Sequence, residues 1–172
     1  MIKIDTEGLH PSTICCLEAL QWLHEREAFS SILEIGCGNG ILSAAAASIW
    51  GAEVLAADIS PKAVDDTQAY IKQHGLEQAI NVIRSDGFNH PDIVENTPYE
   101  LIICNLLAEL QLRFAKDARK HCKIDGYLLL SGILEWKKTE VEQVYTRLGF
   151  EIAHKTTSSP WVTMVFRHIT AT

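Results

Sequence analysis

At 172 residues the chain suits one domain with a sizeable core, and 47% hydrophobic against 22% charged residues is the composition of an ordinary globular protein. With 22 acidic against 15 basic side chains the formal charge is −7, which excludes a general affinity for nucleic-acid phosphates. No apolar run reaches the ~20 residues that span a bilayer.

The chain opens MIKIDTEG, with an early acid and no apolar core, so no signal peptide is expected. Pro11 and Ser12 are suited to start a helix over 13–23. The next apolar run, a strand over 32–35, carries Glu34 near its end and breaks into alternating glycines, Gly36, Gly38 and Gly40, before a small-residue helix over 42–50. Glycine has no Cβ and tolerates positive φ, so such a turn lets backbone approach a ligand closely. An acid at the strand end suits a cationic or hydroxyl-rich ligand better than a phosphate, and the combination points to S-adenosylmethionine. A second strand over 53–57 ends in Asp58. Ser60 and Pro61 then cap and start a helix over 61–74, which His74-Gly75 stops. A third strand over 80–84 runs into Ser85-Asp86-Gly87, and a fourth over 100–104 ends in Asn105. A helix over 107–122, a turn at 123–126, a strand over 127–131 and a helix over 135–148 complete the alternation.

Strand–helix alternation with apolar strands implies a parallel sheet covered on both faces. The tail breaks that rhythm. Runs at 150–156 and 161–168 are joined by Thr157-Ser158-Ser159-Pro160, too short for a crossover helix, so this pair is expected to be antiparallel. The expected class is therefore α/β: a Rossmann-like class I methyltransferase fold, a mostly parallel sheet closed by an antiparallel C-terminal hairpin strand.

In such sheets ligands sit beyond the carboxyl ends of the strands, at the switch point of strand order. The loop of Gly36, Cys37, Gly38 and Gly40 offers backbone amides to a methionine carboxylate. Asp58, with Ile59 beside it, offers a carboxylate to ribose hydroxyls or a cap to the helix at Ser60. Asp86 is either an acceptor for the adenine amine or a turn former, and Gly87 makes room for the ring. Glu34, an acid inside an apolar strand, needs a partner, either the loop amides or the cofactor's ammonium. A dinucleotide site is the rival reading, but the third glycine of that fingerprint is missing, Ile41 following Gly40. Cys37 reads as a small packing residue, with a reactive thiol as the alternative. An odd count of five cysteines without a CxxC pair implies reduced thiols and a cytoplasmic setting.

Four stretches go further: GLHPSTICCLEAL from Gly8, LEIGCGNGILSAAAA from Leu33, CNLLAELQL from Cys104 and GYLLLSGIL from Gly126. Together they resemble the catalytic domain of the PrmA family of bacterial ribosomal-protein methyltransferases. That family's pattern runs Gly-Thr-Gly-x-His-Pro-Thr-Thr, Asp-x-Gly-Cys-Gly-Ser-Gly-Ile-Leu, Asn-Ile-Leu-Ala and Ser-Gly-Ile-Leu. This sequence departs from it at Thr6-Glu7-Gly8, Glu34 and Asn39. The resemblance implies a single catalytic domain over 1–172 without the family's N-terminal substrate-recognition domain. It also places the 8–13 segment over the cofactor, with Thr13 near its methionine end.

Methyl transfer needs no metal; the protein mainly positions nucleophile and methyl group. Asn105, nominated as catalytic, followed by Leu106, resembles the Asn-Pro-Pro-Tyr amine clamp without its prolines and aromatic. Capping of the 106–122 helix is the competing role. His10 is either a general base or a solvated side chain. Ser131-Gly132 and residues 158–161 are candidates to line the acceptor pocket, with Trp161 a lid or a core residue. The leading reading is N-methylation of a protein amine or a small amine. O- or C-methylation of a small metabolite and a catalytically silent cofactor-binding partner protein are the alternatives; oligomeric state stays open.

Overall fold

A computed structural model of the chain describes residues 6–169. Seven strands form one sheet: β1 (Ser31–Ile35), β2 (Glu53–Asp58), β3 (Ile80–Arg84), β4 (Tyr99–Asn105), β5 (Cys122–Leu134), β6 (Phe150–Ser158) and β7 (Trp161–His168). Their order is β3-β2-β1-β4-β5-β7-β6. Pairings through β5 are parallel, whereas β7 runs antiparallel to both β5 and β6. Chain order reverses between β1 and β4, which makes a crevice at their carboxyl ends.

Alternation along each strand divides the core into two layers. Ile32, Val54, Ala56, Leu101, Ile103 and Leu129 face α1 (Pro11–His24), α2 (Ile41–Trp50) and α3 (Pro61–Gln73). Leu33, Ile35, Leu55, Ile102, Leu128 and Leu130 face α4 (Pro91–Glu95), α5 (Ala108–His121) and α6 (Lys138–Arg147). Both faces are buried, so these strands read as continuous apolar runs rather than alternating ones. Each fully buried Leu or Ile contributes about 1.5–3 kcal/mol relative to exposure.

Local sequence explains most boundaries. Ser60 caps α3, its Oγ accepting the Ala63 N–H, with Pro61 in the first turn. Ala44, Ala45, Ala46 and Ala47 of α2 are all buried, because that helix is pressed between α1, α3 and the sheet. Several boundaries differ from expectation: β6, expected to stop at residue 156, runs on to Ser158, where Thr157 pairs with Val162 and Ser158 with Trp161. Helix α1 begins at Pro11, where His10 supplies the cap by accepting the Ser12 N–H on Nδ1 at 3.2 Å. Residues 123–126 do not separate helix from strand. They form an irregularity inside β5 with Asp125 at φ 63°, between the Tyr99–Cys122 and Leu101–Tyr127 pairs. The helix expected from residue 135 opens as a 3-10 turn, Glu135–Lys137, before α6. No helix among the described residues is long and apolar enough to cross a membrane.

Candidate active site

The glycine loop after β1 is built by its backbone. The N–H groups of Gly36 and Cys37 both donate to Ala57 O, at 2.8 and 3.1 Å, which folds the loop back against β2. Gly36, Gly38 and Gly40 have φ of 80°, 56° and 82°, a region that disfavours any residue with a Cβ. A Cβ on Gly36 would lie 2.5 Å from Leu106 Cδ2, and one on Gly40 2.9 Å from Thr67 Cγ2. At Gly38 it would meet nothing, so this middle glycine faces open space.

Asp58 stands at the tip of β2 beside that space. Its Oδ2 accepts the Gly38 N–H at 3.0 Å and its Oδ1 the Ser60 N–H at 2.9 Å. The carboxylate therefore joins the loop to the start of α3, and it remains partly accessible. Ile59 is 58% exposed at the same edge, its carbonyl held by Arg84 Nε at 3.2 Å. Thr67 Oγ1 donates to Gly38 O at 3.1 Å and lies 3.4 Å from Cys37 Sγ. Burial pushes the Cys37 thiol up to about 12, with the Glu34 charge adding to the rise.

Glu34 lies one layer below. It is 1% exposed and takes a hydrogen bond from Ser43 Oγ of α2. Its side chain points to the α2 face of the sheet, opposite Ala56 in register, where a small neighbour leaves it room. Desolvation raises its pKa to about 8. Its partner in this structure is thus Ser43 rather than a loop amide, a contact no motif announced. Beyond β3, Asp86 pairs with Arg113 of α5 at 3.2 Å, and a Cβ on Gly87 would lie 2.4 Å from Phe114 Cε1.

Across the switch point a cleft of about 370 Å³ is lined by His10, Thr13, Asn105, Leu107, Gly132 and Trp161, among others. Asn105 Nδ2 donates to Thr13 Oγ1 at 3.3 Å, which brings together two residues far apart in sequence. Asn105 does not cap the following helix. The cap position of α5 is Leu107, with no side-chain cap bond, so the Asn105 amide is free of that duty. His10 stands edge-on to Trp161 with ring centroids 4.8 Å apart. Behind the cleft, Ser131 Oγ donates to Ser12 O at 3.0 Å and lies 2.6 Å from Thr163 Oγ1. Ser12 and Ser131 of this buried hydrogen-bond chain lie in the stretches singled out from the sequence, whereas Thr163, Thr67 and Arg113 carry no motif. A groove of about 410 Å³ at the amino ends of β1–β3 lies on the opposite edge of the sheet from these residues. Among the described residues no cluster of His, Cys, Asp or Glu suits a metal ion.

The strand order, with a glycine loop at its reversal and an antiparallel seventh strand, defines the class I methyltransferase fold. The chain resembles solved structures of that class. A ribosomal protein L11 methylase from Lactobacillus delbrueckii subsp. bulgaricus superposes with a TM-score of 0.86 at 24% identity, covering 98% of this chain and 84% of that one. An RNA methyltransferase from Salinibacter ruber in complex with S-adenosyl-L-homocysteine gives a TM-score of 0.73 at 13% identity, covering 95% of each chain. The chain belongs to the family described as ribosomal protein L11 methyltransferase (PrmA), whose model matches residues 6–169. Ribosomal protein L11 methyltransferase from Geobacillus kaustophilus is 34% identical over 158 residues, 92% of this chain and 49% of that protein. Its counterpart from Anoxybacillus flavithermus is 32% identical, with the same coverage. The chain spans about half the length of the curated relatives it matches.

Proposed function

We propose that this chain is a single domain that binds S-adenosylmethionine and methylates a protein amine, with ribosomal protein L11 as the first acceptor to test. The observation that carries the reading is the convergence of the open face at Gly38, the Asp58 carboxylate and the Asn105 cleft on one edge of the sheet.

The residues present fit such a cofactor. Asp58 and Asp86 are acceptors suited to ribose hydroxyls and an exocyclic amine, Ile59 gives an exposed apolar surface for a ring, and Gly38 leaves space for close approach. Glycines 36, 38 and 40, whose N–H groups are engaged by Ala57 O, Asp58 and Cys37 O, would give the amino-acid portion close approach rather than donors, with Cys37 packed beneath and Thr13 near the methionine end. Bound there, a sulfonium supplies an electrophilic methyl carbon. The chain's own task is to present a nucleophile. An amide oxygen accepts a hydrogen bond from an amine and so turns its lone pair away from the accepting group. Asn105 is suited to that role because its Nδ2 is engaged by Thr13, leaving Oδ1 to face a substrate.

His10 is less suited to be a base. Its Nδ1 accepts the Ser12 N–H, so the neutral ring carries its proton on Nε2. The five cysteines are free and buried, which supports a reducing, cytoplasmic setting. The test is transfer of labelled methyl from S-adenosylmethionine to purified L11 and, in parallel, to a fractionated cell extract. Label in an acid-stable amine of a protein supports the reading; label confined to small metabolites contradicts it.

A further inference from the structure

Helix α5 buries Ala108, Phe114, Ala115 and Ala118 against the sheet, and two polar residues are buried with them, Gln111 at 1% exposure and His121 at its last position. A buried amide is costly unless its donors and acceptors are used. Gln111 Nε2 donates to two backbone carbonyls, Leu106 O at 2.6 Å and Ser131 O at 2.5 Å. Ser131 O also accepts the Leu106 N–H at 3.1 Å. Gln111 Oε1 is buried and makes no hydrogen bond among the described residues. A leucine would fill this core position without stranding an acceptor, so packing alone does not account for glutamine. What the glutamine adds is a pair of donors at the carboxyl ends of β4 and β5.

The carbonyl it holds matters because of what faces it. A Cβ on Gly132 would lie 2.8 Å from Leu106 O and 3.1 Å from Asn105 Oδ1. Two acceptor oxygens therefore look onto one small space, kept free by a glycine at φ 78°. A carbonyl oxygen has two lone pairs. Gln111 takes one from the core side and leaves the other for the cleft. The Leu106 side chain meanwhile packs against Gly36, so this one residue spans the glycine loop and the acceptor cleft.

We infer that Gln111 is a positioning residue, fixing the Leu106 carbonyl so that it and Asn105 Oδ1 together accept the two N–H groups of an acceptor amine. This deepens the proposed function and rests on it. The Gln111 donor thus fixes from the core side a carbonyl that the missing prolines would otherwise pre-set.

The test uses two ligands and needs no acceptor: S-adenosylhomocysteine, and sinefungin, which carries an amine in place of the transferable methyl group. Calorimetry gives both affinities for the wild type, Gln111→Met, which keeps size but loses the donors, and Gln111→Glu, which when neutral keeps one. The wild type is expected to favour sinefungin by about tenfold, the worth of a charge-assisted hydrogen bond. Gln111→Met is expected to lose that preference while S-adenosylhomocysteine affinity holds, and Gln111→Glu to keep part of it. A preference that survives in Gln111→Met, or a wild type that binds both ligands equally, overturns the inference and leaves the cofactor site standing. Loss of both affinities in Gln111→Met together with a collapsed melting transition shows a merely structural role and also overturns it. A wild type that binds neither ligand removes the proposed function itself.

Discussion

Asp58 Oδ2 accepts the Gly38 N–H at 3.0 Å, tying the tip of the second strand to the loop that follows the first. The other carboxylate oxygen holds the Ser60 N–H at 2.9 Å, so one side chain sets both the loop and the start of α3. Of the two roles the sequence leaves open for Asp58, helix entry is the one this contact fills, and the ribose role belongs to the proposed function. Asp58→Asn keeps the size and loses the charge. It is expected to weaken S-adenosylhomocysteine binding by about 10- to 100-fold, as loss of charge-assisted hydrogen bonds does, and to lower the melting temperature by a few degrees, because its one oxygen cannot accept from both Gly38 and Ser60. Calorimetry and a melting curve on the same sample check both halves.

Asn105 has one engaged nitrogen and an oxygen on the cleft. Asn105→Ala is expected to leave S-adenosylhomocysteine affinity intact while turnover on a protein acceptor falls about 100-fold, the scale of a misplaced reacting group. Turnover that persists while cofactor affinity collapses would instead make Asn105 part of the cofactor site alone.

Glu34 gives a signature in pH. Its carboxyl ionises near 4.5 in the unfolded chain and near 8 when buried against Ser43. Between those values the folded protein holds one more proton than the unfolded chain, so stability falls as pH rises, by at most about 1.4 kcal/mol per unit. Glu34→Gln removes the titration and can still accept from Ser43. Urea unfolding across this range should show the variant gaining on the wild type until about pH 8 and then running parallel. Curves parallel throughout would mean Glu34 is ionised in the fold.

All five cysteines are buried. Burial pushes the Cys37 and Cys122 thiols up to about 12 and raises those of Cys15, Cys16 and Cys104. Thiolate is the reactive form, so native protein at pH 8 should resist Ellman's reagent and titrate fully only after denaturation. A single fast thiol in the native state, traced to Cys37, would restore it as a chemical group.

Elements whose signals are local were legible in the sequence. Apolar runs with a glycine turn gave β1 and its loop, Ser60-Pro61 gave the start of α3, and a connection too short for a crossover helix gave the antiparallel β7, although it spans only Ser159-Pro160 rather than 157–160. Helix α4 was missed because five residues carry no period. Strand β5 was cut short because Asp125-Gly126 is turn chemistry, here absorbed as an irregularity within a ladder. The polar residues that brace the site were harder to see. Ser43 and Gln111 lie on helix faces whose partners, Glu34 and Leu106, become neighbours only through packing. Their one local signal is a polar side chain at a core position of an apolar stripe, which marks a buried hydrogen bond to be found.

The most direct measurement is a crystal structure of the protein with S-adenosylhomocysteine. The expected result is a nucleoside with its ribose hydroxyls on the Asp58 carboxylate and its amino-acid portion over glycines 36, 38 and 40. Density for the nucleoside elsewhere on the protein, with Asp58 and Gly38 turned from it, would contradict the assignment of this crevice.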